Sequence, residues 1–202
     1  RFAETMLSSV VLKDVQPALF TLNFLRQGLA SFQPAPLAST TQALLRLPSL
    51  DHPLLTASTT DLLVSVCSSA EPSLPASTLT TIIDQLLQRT SSTPTSSKKH
   101  ASVATANAGA LRACAAAAAA LVQADAAACH TRLSLLVSAW LRALGLAHAD
   151  AAGSAPAASA SAEGSGSADA LSGSELVELL DGCVTPGMDA AAAALLASSL
   201  RE

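Results

Sequence analysis

The chain has 202 residues, half of them apolar, yet aromatics make up only 2%, with no Tyr and a single Trp. Its net charge of −4 is too small to argue for a partner of opposite sign. The eleven Lys and Arg residues are scattered rather than gathered into a face that neutralises phosphates. Ala and Leu supply most of the apolar count, and both are strong helix formers. Apolar β-branched and aromatic residues, which favour strands, are scarce, so the composition points to an all-α fold.

In chain order, the sequence opens on Arg1 rather than Met, which we take as the mark of an excerpt from a larger protein. Ala18, Leu22, Leu25, Leu29 and Phe32 recur at alternating steps of four and three, and Val15, Leu19, Phe20 and Phe24 widen that face. A face this wide suits a helix packed on more than one side. Gln33 to Pro36 should end it. A shorter helix is expected from Leu37 to Leu47, with Leu37, Thr41, Leu44 and Leu45 inward, until Pro48 breaks it. Asp51 then reads as an N-cap with Pro53 in the first turn of a helix running to about Ser69. After a Pro-marked turn, Leu79, Ile82, Ile83, Leu86 and Leu87 follow at i, i+3, i+4, i+7 and i+8, the strongest amphipathic signal in the sequence.

Pro17 and Pro53 begin corresponding helices 36 residues apart (53 − 17 = 36). Helix pairs repeating at about that period are the sequence sign of an α-solenoid, because one pair cannot bury both of its faces and stacking does so. A polar Ser/Thr/Pro loop follows to His100. Two long helices are expected next, Ala101 to Gln123 and Asp125 to Leu146. The first is Ala-rich and suited to close packing. The second carries Leu133, Leu136, Val137, Trp140, Leu141 and Leu144 on one stripe, with Trp140 as a core anchor. Residues 149–170, almost all Ala, Ser and Gly, offer nothing large to bury. Ser172 and Glu175 stand at capping-box spacing ahead of Leu176, Val177, Leu179 and Leu180. Thr185 to Gly187 form a turn, and Asp189 is placed to cap a last Ala-rich helix to Leu200. The chain thus divides into helical repeats at 1–90, a polar loop at 91–100, a helical repeat pair at 101–148, a flexible low-complexity insertion at 149–170, and a final helical pair at 171–202. The fold expected is a HEAT-like helical-repeat solenoid segment.

No residue stands out as catalytic, cofactor-binding or metal-ligating. His52, His100, His130 and His148 are dispersed, without the i, i+4 spacing that metal sites on helices use. Cys129 and His130 adjoin, but neighbours on a helix point about 100° apart and cannot readily serve each other as nucleophile and base. The four cysteines, Cys67, Cys114, Cys129 and Cys183, lack any C-x-x-C pair and read as reduced, buried thiols of an intracellular protein. Gly164 to Ser167 lacks the Lys-Ser/Thr ending of a phosphate loop. Lys98, Lys99 and His100 read as a solvated loop, and Asp61, Asp84 and Asp181 as outer-face carboxylates. The longest apolar run, Ala113 to Val122, is half of the ~20 residues that a bilayer needs, so no membrane partner is expected.

Three segments, VQPALFTLNFLRQGL at 15–29, PLASTTQALL at 36–45 and HPLLTAS at 52–58, are similar in order and spacing to the N-terminal region of the ribosomal RNA-processing protein twelve family. The stretch Leu79 to Leu87 fits that family's next element, and ELLDGCVTPGM at 178–188 resembles the close of a later repeat. The likeness covers about half the chain. It implies a non-catalytic, karyopherin-like HEAT-repeat factor of the nucleolus and nucleus, shuttling to the cytoplasm. Such a factor serves small ribosomal subunit biogenesis: pre-rRNA processing within the small-subunit processome and nuclear export of the pre-ribosome. The partners it implies are ribosome assembly factors, pre-ribosomal RNA, Ran and nuclear pore proteins, with no cofactor and no small-molecule substrate. The alternative is a karyopherin-type transport adaptor unrelated to ribosomes. A further rival is an enzyme whose catalytic domain lies outside this sequence.

Overall fold

The computed structural model describes residues 15–28, 34–45, 53–69, 74–92, 100–145 and 171–201. All regular structure among them is α-helical: α1 (Val15–Gly28), α2 (Pro34–Leu45), α3 (Pro53–Cys67), α4 (Ala76–Ser92), α5 (His100–Ala124), α6 (Ala126–Ala143), α7 (Gly173–Cys183) and α8 (Ala190–Ser199). The expected N-cap Asp51, the residues Phe32, His52, Lys98, Lys99 and His148, and the insertion at 149–170 all lie outside the described residues.

Several boundaries moved for identifiable reasons. Pro34 and Pro36, expected to end the first helix, instead open α2. The first N–H groups of a helix have no intrahelical acceptor, so proline costs little there. Helix α4 continues through Thr90 and Ser91, into the expected polar loop. Both hydroxyls donate back to the Leu87 carbonyl at 2.9 Å, so these polar residues bond their own helix rather than leave it. Helix α6 stops at Ala143 rather than reaching 146, because Gly145 takes φ +71° just beyond the C-cap Leu144.

The helices sort into two layers. Helix α1 packs on α3, α3 on α5 and α5 on α7; α2 packs on α4, α4 on α6 and α6 on α8. Helix α5 also meets α4 and α6, and α6 meets α7. Helix α6 runs antiparallel to both α5 and α7, with Trp140 at the start of α7 and His130 at its end. Helices α5 and α6 turn about Asp125, whose carboxylate accepts from the Ala128 N–H at 3.0 Å, and Cys129 Sγ donates across to the Ala118 carbonyl at 3.4 Å. Helices α4 and α6 run parallel: Asp84 of α4 pairs with Arg132 of α6, and two turns further on Ser91 lines the same groove as Ala139 and Arg142.

Helix α5 holds the stack together. Ala108, Ala110, Leu111, Ala113, Cys114, Ala117, Ala118, Leu121 and Val122 are all buried, so most of its circumference is in contact with neighbours. Its alanines allow close approach. At Gly109 an added Cβ would lie 2.6 Å from Thr60 Oγ1 of α3. The amphipathic stripe of α4 is buried as its spacing predicts, with Ile82 and Ile83 fully enclosed. Trp140 is a core anchor, buried with Leu133, Leu136 and Val137.

Helix α7 is held at both ends. At its start, Ser172 and Glu175 form the expected capping box. The Trp140 indole N–H donates to the Ser172 carbonyl at 3.4 Å, and Arg112 Nε of α5 donates to Glu175 Oε1 at 2.8 Å. At its end, His130 Nε2 lies 3.2 Å from the Cys183 carbonyl. That carbonyl is one of the acceptors a helix terminus leaves unfilled, so the imidazole caps α7 from outside. Arg89 of α4 does the same for α2 by donating to the Leu45 carbonyl. Asp189 occupies the N-cap position of α8, but its side chain makes no cap hydrogen bond, contrary to expectation.

Candidate partner-binding groove

Parallel packing of α4 and α6 leaves a groove between them. On α4 it is lined by Asp84, Leu87, Gln88 and Ser91, at i, i+3, i+4 and i+7. On α6 it is lined by Leu135, Ala139 and Arg142, at i, i+4 and i+7. Both sets are helical stripes, so the groove follows from helix periodicity on two neighbours in register. Its volume is about 250 Å³. Pockets for drug-sized molecules are roughly 300–1,000 Å³ and enclosed. A shallow trough of this size suits one or two side chains of a docked segment.

The groove is apolar at its centre and charged at its ends. Leu135 stands 61% exposed, on the side of its helix away from buried Leu133, Leu136 and Val137. At one end Arg132 holds Asp84 in a two-point ion pair, Nε to Oδ1 at 2.8 Å and Nη2 to Oδ2 at 3.0 Å. Arg132 Nη1 is itself held by the Ala128 carbonyl at 3.1 Å. This fixes the carboxylate and offsets its charge. Arg142 is exposed at the other end, its Nε donating to the Ser138 carbonyl at 3.2 Å.

Asp84, expected as an ordinary outer-face carboxylate, is therefore exposed but engaged. Asp61 and Asp181 are exposed as expected. Sequence reasoning did not find the groove, although Leu135 carries a weak signal: it departs from the stripe that Leu133, Leu136, Val137 and Trp140 define.

A second cluster joins α6 and α7. All four cysteines are free and buried. The Cys129 and Cys183 thiols, 54 positions apart in sequence, act on each other: the neighbouring Cys183 thiol, with burial adding to it, pushes the Cys129 thiol up, and Cys129 draws that of Cys183 down. Burial pushes the Cys67 thiol up to about 12, and it raises Cys114 as well. Raised thiols stay protonated and are weak nucleophiles and metal ligands. Beside them, His130 Nε2 faces the Cys183 carbonyl and, at 3.3 Å, Thr185 Oγ1. The imidazole thus serves the end of α7 rather than a sulfur, and the cluster ties two helices together. Nothing in the local sequence announced the approach of Cys183 to Cys129.

Among the described residues no group of three or more His, Cys, Asp or Glu is arranged to hold a metal ion, and no helix is long and apolar enough to cross a membrane. Comparison with protein-family models, with curated proteins and with solved structures found no match to this chain.

Proposed function

We propose that this chain is a HEAT-like solenoid segment acting as a scaffold within precursors of the small ribosomal subunit, with the α4/α6 groove as a contact surface for an assembly partner. One observation carries the scaffold reading: an apolar groove built on two parallel helices, with a leucine held out to solvent between charged ends. Supporting the solenoid reading is the alternation of contacts, α1–α3–α5–α7 in one layer and α2–α4–α6–α8 in the other. Stacked helical pairs contact only their neighbours in this way and expose long surfaces for binding. The ribosomal assignment rests on the sequence similarity over residues 15–90 and 171–190, and with it go a nucleolar and nuclear location and partners among assembly factors, pre-ribosomal RNA, Ran and pore proteins.

The test is gradient sedimentation of the tagged protein with blotting for precursor RNA, comparing wild type with Leu135→Glu. Wild type is expected to co-migrate with small-subunit precursors, and the variant to shift to light fractions without loss of helicity. Migration of wild type in light fractions with nuclear transport factors would move the function to a karyopherin-type adaptor. Migration in light fractions without them would sink both readings.

A further inference from the structure

The lining residues of the α4/α6 groove stand in a common register. Leu87 and Leu135, and likewise Ser91 and Ala139, are separated by the same 48 positions as the paired Asp84 and Arg132. Because the two helices run parallel, the members of each pair stand level with one another. The groove thus climbs from an ion pair to two leucines, then to two small side chains, and ends at Arg142. With a rise of about 1.5 Å per residue, Arg142 lies about 4.5 Å beyond Ala139 along α6. The small pair leaves a dip, with Leu87 and Leu135 as an aliphatic shelf on one side and a guanidinium on the other.

Charge is spread unevenly along this path. Arg132 is spent: Nε and Nη2 hold Asp84, and Nη1 donates to the Ala128 carbonyl and to Thr131 Oγ1. As a pair, that end is neutral. Arg142 is exposed and makes no ion pair among the described residues, where its one hydrogen bond runs from Nε to the Ser138 carbonyl. The groove therefore presents an apolar dip beside one uncompensated positive charge, and its complement is an aliphatic group beside one negative charge. RNA fits this poorly. A nucleic-acid strand is held by several cations that track its phosphates, or by aromatic faces that stack its bases. This groove offers one free guanidinium and a carboxylate, and none of its lining residues is aromatic. We propose that the groove takes a polypeptide segment, which seats an aliphatic side chain over Ser91 and Ala139 and presents an Asp or Glu, within four residues of it, to Arg142. The inference rests on the reading of the groove as a partner contact and names the chemistry of that partner.

The test is photo-crosslinking from Gln88, on the α4 wall of the groove, in the protein as expressed in cells. Crosslinked material is divided between nuclease and protease digestion, and the attached fragment is identified by mass spectrometry. The expected adduct survives nuclease, and its fragment carries Leu, Ile or Val with an Asp or Glu within four residues. Arg142→Gln should lower the yield by up to about fivefold, the worth of one exposed ion pair, and Arg142→Lys should retain it. Trp140 fluorescence should stay unchanged in both. Changing the partner's acid to Arg should lower the yield in the same way, and combining it with Arg142→Glu should restore it. An adduct to RNA would overturn the proposal. So would an adduct to another segment of this chain or to a second copy, a fragment without such an acid, or a yield indifferent to Arg142. An RNA adduct, or a protein adduct indifferent to Arg142, would still leave the groove a partner contact. Absence of any adduct would remove that reading and the proposal together, so the two failures are distinguishable.

Discussion

Replacing Gly109 by Ala sets two effects of known sign against each other. In a helix interior alanine is favoured over glycine by about 1 kcal/mol, so α5 considered alone would gain. The stack opposes this, because the new methyl would sit 2.6 Å from Thr60 Oγ1 and 3.3 Å from Thr60 Cβ. Thr60 cannot easily yield: its hydroxyl donates to the Thr56 and Ala57 carbonyls, both at 2.9 Å. Overpacking of this kind costs about 1–3 kcal/mol. Gly109→Ala should therefore change stability by between roughly zero and −2 kcal/mol, the clash outweighing the propensity gain. In a Thr60→Ala background the obstruction is gone and the same substitution should stabilise by up to about 1 kcal/mol. The coupling between the two positions is then about 1–3 kcal/mol, readable from urea denaturation of the four proteins in a double-mutant cycle. A coupling near zero, with Gly109→Ala stabilising in both backgrounds, would refute the close approach of α3 and α5.

Trp140→Ala removes a fully buried indole and should cost roughly 3–5 kcal/mol, lowering Tm by roughly 6–20 °C; Trp140→Phe should recover most of this in a thermal melt. Ser172→Ala deletes one half of the capping box and should cost about 0.5–2 kcal/mol, measured by denaturant unfolding and seen first as loss of amide protection in α7. For Glu175, burial pushes the carboxyl up, but hydrogen bonds from Arg112 and Ser172 outweigh it and hold the group below its ordinary value of 4.5. A depressed carboxyl contributes stability that is present above its unfolded value and is lost as pH falls through the folded one. Docking of α7 should therefore weaken below about pH 4.5, reported by the fluorescence of Trp140, the chain's single Trp, whose indole bonds the start of α7. Glu175→Gln should flatten that acid limb, and an unchanged limb would show that Glu175 does not hold α7.

The sequence announced whatever depends on helical spacing. The buried stripe of α4, the Trp140 face of α6 and the Ser172 capping box all follow from residues within two turns of one another, where local geometry decides the outcome. What it did not announce depends on how separate helices meet. Leu135 looks like one more apolar residue until α4 lies parallel beside it. Asp84 looks like a solvated acid until Arg132, 48 positions later, reaches it. Cys183, His130 and Thr185 come together only because α7 docks antiparallel on α6 beyond the insertion. Helix ends were misjudged by a few residues where proline opened α2, where hydroxyls bonded back in α4, and where Gly145 ended α6. In each case a local backbone preference overrode the apolar pattern.

The central claim is that the α4/α6 groove meets a component of the small-subunit precursor. It is tested most directly by a photo-crosslinking amino acid placed at Leu135 in the protein as expressed in cells, with an exposed position outside the groove, Glu178, as control. The account predicts crosslinks from position 135 to a small-subunit assembly protein or to precursor RNA, in particles that sediment as precursors, and none to that component from position 178. Equal crosslinking from both positions, or none from 135 in particles that contain the protein, would contradict it.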